Sequence, residues 1–199
     1  MTNSRLSYAL LAPVAVVSLS GCGINSVPAA QETVKAKWAD VQNQYQRRAD
    51  LVPNLVAVVK GYARQEQDTL TQVTEARAKA TSVQVSADDL QNPEKMAAFQ
   101  AAQNELGQSL GRLLVSVEAY PQLKSNENFL TLQSQLEGTE NRIAVARRDY
   151  NEAVRDYNTR IRTFPEMVGA KLVHGAQPMT PFEATTPGAQ EAPKVDFGG

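Results

Sequence analysis

One cysteine and one histidine stand in 199 residues, and that scarcity excludes whole classes of function. A lone Cys22 cannot build a disulfide framework. With His174 as the only imidazole, metal sites made of thiolate and imidazole have almost no ligands to draw on, so no cofactor is expected. Di-iron bundles built on Glu-x-x-His pairs fail on the same count, and so do nucleophilic triads. Glycine is sparse, 11 residues without a three-residue period, which excludes collagen. A mean hydropathy of −0.36 excludes a polytopic membrane protein. Charge of one sign is missing too. With 20 basic against 21 acidic side chains, nothing supports nucleic-acid binding, which needs a basic face.

What the chain has is first an address. Residues 1–21 read as a lipoprotein signal peptide: a short polar start carrying Arg5, then the apolar stretch Leu10 to Leu19, shorter than the roughly 20 residues of a spanning helix and weakened by Pro13. Leu19-Ser20-Gly21-Cys22 follows, similar to a bacterial lipobox. Small side chains next to the scissile bond admit a signal peptidase, and the thiol of Cys22 receives lipid. Two or more acyl chains, at about 0.8 kcal/mol per buried methylene, anchor a protein stably. The competing reading is a plain secretory signal or an N-terminal membrane anchor with a chance cysteine. By resemblance to lipoprotein sorting in two-membrane bacteria, Gly23 after Cys22, rather than aspartate, implies the outer membrane where the source has one, so the expected place is membrane-anchored on the periplasmic side. Cleavage removes Arg5 and moves the net charge from −1 to about −2.

Residues 22–30 then read as the lipidated cysteine and a tether, 31–164 as a helical domain, and 165–199 as a flexible tail rich in proline and glycine. Val34, Trp38, Val41 and Tyr45 step by three and four, as do Leu51, Leu55, Val58 and Tyr62. Met96, Phe99, Leu106, Leu110, Leu113 and Val117 share one stripe. The longest stripe runs from Phe129 through Ile143, Tyr150 and Tyr157 to Phe164. No segment alternates with period two. The expected fold is all-α, an elongated antiparallel bundle of about four helices. Asp50 ahead of Pro53 reads as a boundary between the first two helices, with a fold-back and a kink both open. Asn92 before Pro93 is placed to cap the third helix, and Tyr120-Pro121 ends it.

The chemistry-bearing residues gather in the fourth helix. Asp149-Tyr150-Asn151 recurs seven residues later as Asp156-Tyr157-Asn158, placing both tyrosines on one face. Buried tyrosines need hydroxyl partners, for which Arg47, Arg48 and Asn54 are candidates. The charges admit a ladder of ion pairs such as Asp156 with Arg160, or a polar recognition strip. Its candidate contacts are Arg47, Arg48, Glu140, Arg142, Arg147, Asn151 and Asn158. Paired carboxylates, Glu137 with Glu140 and Asp88 with Asp89, read as surface charges and a capping turn rather than as an acid–base pair.

Along Arg47-Arg48-Ala49-Asp50-Leu51-Val52-Pro53-Asn54, Val59 to Tyr62, Thr74 to Ala78, Glu118-Ala119-Tyr120-Pro121, Asn126 to Phe129, Glu137 to Arg147, Tyr150 to Pro165 and the ending Ala192 to Phe197, the chain resembles the LemA family. The resemblance implies a helical bundle on the outer side of a bacterial membrane and brings no catalytic residues. Many members carry a transmembrane helix where this chain has its lipobox. The function expected is a non-enzymatic lipoprotein, membrane-bound through its lipid, acting as scaffold or adaptor for an envelope protein. The alternative is an accessory subunit or weak enzyme acting on envelope polymers such as peptidoglycan.

Overall fold

The computed structural model describes residues 25–183. All regular structure among them is helical: α1 Ser26–Tyr62, α2 Gln67–Ser82, a 3-10 turn Ala87–Gln91, α3 Pro93–Val117, α4 Pro121–Lys124, α5 Glu127–Arg160 and α6 Glu166–Leu172. At 1.5 Å per residue α1 is about 55 Å long, and α5 lies antiparallel along it. The pairing is fixed by Lys37 with Asp149 at one level and Arg48 with Glu140 at another.

α1 begins earlier than the sequence suggests. Val27 and Ala30 are buried and extend the stripe of Val34, Trp38 and Val41 upstream by steps of three and four. Pro28 sits in the first turn, where its missing N–H has no intrahelical partner. The tether expected over 22–30 is therefore corrected from Ser26 on, where the chain is helical. Cys22 and the signal peptide lie outside the described residues.

Nor is Asp50 a boundary. α1 runs through Pro53 without a break and ends at Tyr62. Proline at 53 deprives the Ala49 carbonyl of its helical donor, but the Arg77 Nε of α2 donates to that oxygen at 2.7 Å. A partner 28 residues away thus repairs the ladder. The turn comes at Ala63 to Glu66, from which α2 folds back.

Asn92 caps α3 as its place before Pro93 predicts, its Oδ1 accepting from the N–H groups of Glu94 and Lys95. Asn126 does the same for α5 through the Phe129 N–H. Lys79 pairs with Glu105 and the Tyr120 hydroxyl donates to Glu66, so α3 returns antiparallel to α2. α1, α2, α3 and α5 thus alternate in direction, and the four-helix expectation holds for the half of the rod beyond Arg48.

In the other half α1 and α5 pack against a segment that is not helical. After α6, Gly175 takes φ +54°, a conformation that favours glycine, and the Ala176 N–H bonds back to the Ala170 carbonyl. The chain then runs as a strap over residues 176–183. A flexible tail from 165 is therefore corrected as far as Glu183: Ala170, Met179 and Phe182 are buried in the core. Residues 184–199 lie outside the described part.

The apolar interior forms two clusters. One holds Val52, Leu55, Val73, Leu106, Leu113 and Leu136 with other aliphatics and Phe129. The second gathers the rings of Trp38, Tyr45, Phe99, Tyr150, Tyr157 and Phe182 among aliphatic neighbours. Trp38 touches the rings of Phe99, Tyr150 and Phe182 at centroid distances of 5.3, 5.4 and 5.9 Å.

Candidate functional site

The strap buries the side chains of Met179 and Phe182, and its hydrogen bonds are made through its main chain. Asn158 Nδ2 donates to the Met179 carbonyl at 2.8 Å, and its Oδ1 accepts from the Met179 N–H at 2.9 Å. One heptad earlier, Asn151 treats Phe182 identically, at 3.0 and 2.8 Å. The tyrosine preceding each asparagine adds a third bond. Tyr157 donates to the Gln177 carbonyl at 3.1 Å and Tyr150 to that of Thr180 at 2.9 Å.

The repeat has a metric basis. Seven residues of α-helix advance about 10.5 Å, and three residues of extended, proline-rich chain advance about 9.3 Å. A Tyr-Asn pair recurring every seven positions on α5 therefore meets equivalent main-chain groups every three positions on the strap. Pro178 and Pro181 occupy the positions that need no donor. The remaining amides of 179–183 are all used, those of Thr180 and Glu183 by the Leu90 carbonyl and Gln100 Oε1. Arg147 closes the far end, its Nη2 donating to the Glu183 carbonyl at 3.1 Å and its guanidinium 4.8 Å from the Phe182 ring centre.

The tyrosine hydroxyls thus bond to strap carbonyls, not to Arg47, Arg48 or Asn54. Burial pushes both phenols up from their ordinary value, Tyr150 strongly, so they stay protonated donors throughout the neutral range. Burial also raises Tyr45, against the opposing pull of Arg147 and Arg48.

Between the two clusters lies a polar layer. Arg48 is buried, 3% exposed. Its Nη2 donates to the Gln103 carbonyl at 2.7 Å and to Gln103 Oε1 at 2.9 Å, while Nη1 meets Glu140 at 3.0 Å. Gln103 Nε2 continues to the Ala80 carbonyl. The layer ties α1, α2, α3 and α5 together at one level, and the Tyr45 ring stacks under the guanidinium at 5.0 Å.

The seven residues of the expected strip therefore separate into three groups. Arg48 and Glu140 form the layer. Arg147, Asn151 and Asn158 grip the strap. Arg47 and Arg142 remain exposed, Arg47 beside an open polar hollow lined by Asn43, Gln46, Asp50 and Asn54. Arg142 reaches back only to Thr139, at 3.5 Å. Sequence reasoning gave no role to Gln103, visible only as the amide interrupting the apolar stripe of α3, nor to Gln100.

Asp89 serves the capping turn. Its carboxyl is held near pKa 2 by Lys95 first and then by the Ser86 hydroxyl and N–H. Asp156 pairs with Arg160 at 2.9 Å on the surface of α5. Among the described residues no three His, Cys, Asp or Glu side chains gather as metal ligands. No helix among them is long and apolar enough to cross a membrane.

The model of the LemA family matches residues 37–197. Magnetosome protein MamQ 2 of Paramagnetospirillum magneticum is 26% identical over 179 residues, 82% of this chain and 66% of that protein. Magnetosome protein MamQ of Magnetospirillum gryphiswaldense is 24% identical over 176 residues, 80% of this chain and 65% of that protein. Protein LemA of Metamycoplasma hominis is 27% identical over 118 residues, 59% of this chain and 49% of that protein. The chain spans just under two thirds of the MamQ proteins and half of this LemA protein.

Proposed function

The chain belongs to the LemA family, and from that premise we propose a non-enzymatic protein of the cell envelope, held at the membrane by lipid on Cys22, that serves as a scaffold for a partner protein. The observation that carries this reading is the use made of α5. Its densest set of polar side chains, two tyrosines, two asparagines and Arg147, engages the main chain of the protein's own strap. They build a rigid surface instead of converging on a reacting centre.

The rod supports the reading by its reach. With Cys22 only three residues before Asn25, α1 starts beside the anchor and carries its middle well clear of the lipid. There the exposed polar face of Asn43, Gln46, Arg47 and Asp50 stands above the layer fixed by Arg48. That face and Arg142 are the surface offered to a partner. In a two-membrane source the anchor lies in the outer membrane, facing the periplasm.

Two experiments test the parts separately. Radiolabelled palmitate enters the wild-type chain and is lost in Cys22→Ser; label retained in the variant overturns the anchor. In-cell crosslinking of the full chain captures a partner that Arg47→Glu and Arg142→Glu reduce together. An unchanged set of crosslinked products overturns the docking face.

A further inference from the structure

Four of the eight large apolar side chains exposed among the described residues, Phe164, Val168, Leu172 and Val173, fall within one stretch of ten residues. Phe164 is 79% and Leu172 81% exposed, and their crowding into one stretch departs from the singly scattered surface apolar residues normal in folded proteins. The cause is the docking of α6. Its small residues Gly169 and Ala170 are buried against the start of α1, so Val168 and Leu172, one turn apart, face outward.

This patch sits at the anchor end of the rod. Because α5 is antiparallel to α1, the end of α5 and all of α6 lie level with Ser26, as the shared cluster of Val27, Ala30, Ile161 and Ala170 records. Cys22 is four residues before Ser26, so its Cα can stand at most roughly 14 Å from that of Ser26 at the start of α1. Arg162 and Lys171 are exposed on the same stretch against Glu166 alone, a basic surplus suited to anionic headgroups. The strap runs away from the patch, reaching Arg147 with Glu183 about 20 Å down α5.

We propose that Phe164, Val168, Leu172 and Val173 insert into the surface of the bilayer that holds the lipidated Cys22, so that the rod meets the membrane at two points. This rests on the anchor reading above. A single flexible attachment would leave the rod free to tilt. A second contact on α6 fixes its orientation and directs the face around Arg47 away from the lipid.

The test uses the full chain, processed and lipidated in a bacterium and reconstituted into vesicles of phosphatidylcholine and phosphatidylglycerol. Lipidation consumes the only native thiol, so Leu172→Cys and Val168→Cys each offer one free site for a fluorophore. Val115→Cys is the control, exposed on α3 roughly 40 Å away along the rod. Nitroxide carried on the upper acyl chain, at the depth of about 5–10 Å reached by interfacial helices, is expected to quench labels at 172 and 168 several-fold more than the label at 115. Removing phosphatidylglycerol is expected to weaken that difference. Equal quenching at all three sites, with the protein still vesicle-bound, overturns the proposal while leaving the anchor intact. Mass spectrometry of the same preparation reads the anchor by itself, and Cys22 without lipid overturns both.

Discussion

The half of the rod near Ser26 and the half beyond Arg48 are built on the same two long helices yet are closed in different ways. Beyond Arg48, α2 and α3 complete a four-helix layer, and mainly aliphatic side chains at helical spacing fill it, with Phe129 as its buried ring. Near Ser26 there is no fourth helix. The space is filled by large rings among aliphatic neighbours and covered by a strap that adds Met179 and Phe182 to the core and is held by main-chain hydrogen bonds. An aliphatic core tolerates repacking, because many similar side chains share the load. An aromatic core closed by an eight-residue strap depends on a few groups, each with a specified partner.

The sharpest way to break this contrast is at its centre. Trp38→Ala removes three ring contacts and the Nε1 bond to the Val85 carbonyl. It should cost about 3–5 kcal/mol in denaturant unfolding, with hydrogen exchange rising first across residues 176–183. Leu106→Ala in the aliphatic cluster should cost about 2–5 kcal/mol and leave protection of the strap amides intact. If both variants expose the strap equally at sub-denaturing urea, the halves are not distinct.

Asn151→Ala and Asn158→Ala isolate the strap itself. Each leaves a main-chain N–H and carbonyl unpaired, at about 1–3 kcal/mol, and should abolish exchange protection at Phe182 or Met179 while α2 and α3 keep theirs. Gly175→Ala, at φ +54°, should cost about 1–2 kcal/mol and loosen the same segment from its other end, measurable by limited proteolysis after His174.

Alkaline pH gives the smallest and most graded effect. Burial raises the pKa of Tyr150 and Tyr157, so the fold favours their neutral form. The stability tied to them is complete below the ordinary phenol value of about 10 and is lost as pH climbs through the higher folded values. Exchange from the strap should accelerate above that point before it does in α2. Tyr120, raised chiefly by its bond to Glu66, is only half-buried and should matter less.

Much of this was legible in the chain. The stripes through Trp38, Leu110 and Tyr150 gave helices because a period near 3.6 follows from burying one face, and Asn92 gave a cap because its neighbour is proline. Two readings failed for one physical reason, that a distant partner supplied what the local sequence lacked. Pro53 signals a break unless Arg77 takes the Ala49 carbonyl. Residues 176–183 have too few apolar side chains to order themselves, but Tyr150, Asn151, Tyr157 and Asn158 satisfy their main chain. The recurrence of Asp-Tyr-Asn was visible and its target was not, since backbone atoms are the same at every position and leave no mark in a sequence.

Long helices with repeating apolar faces can slide past one another by a turn and still look well packed. Here such slippage is penalised at two marks. The bond from Arg48 to Glu140 fixes one level of α5, and the grip of Asn158 on Met179 fixes another about 27 Å further along. Shifting α5 by 5.4 Å would strand a buried guanidinium at the first mark and mis-set the strap at the second. The protein thereby works like a vernier with two scales, which reads true at a single alignment and lets a long, thin molecule keep its length.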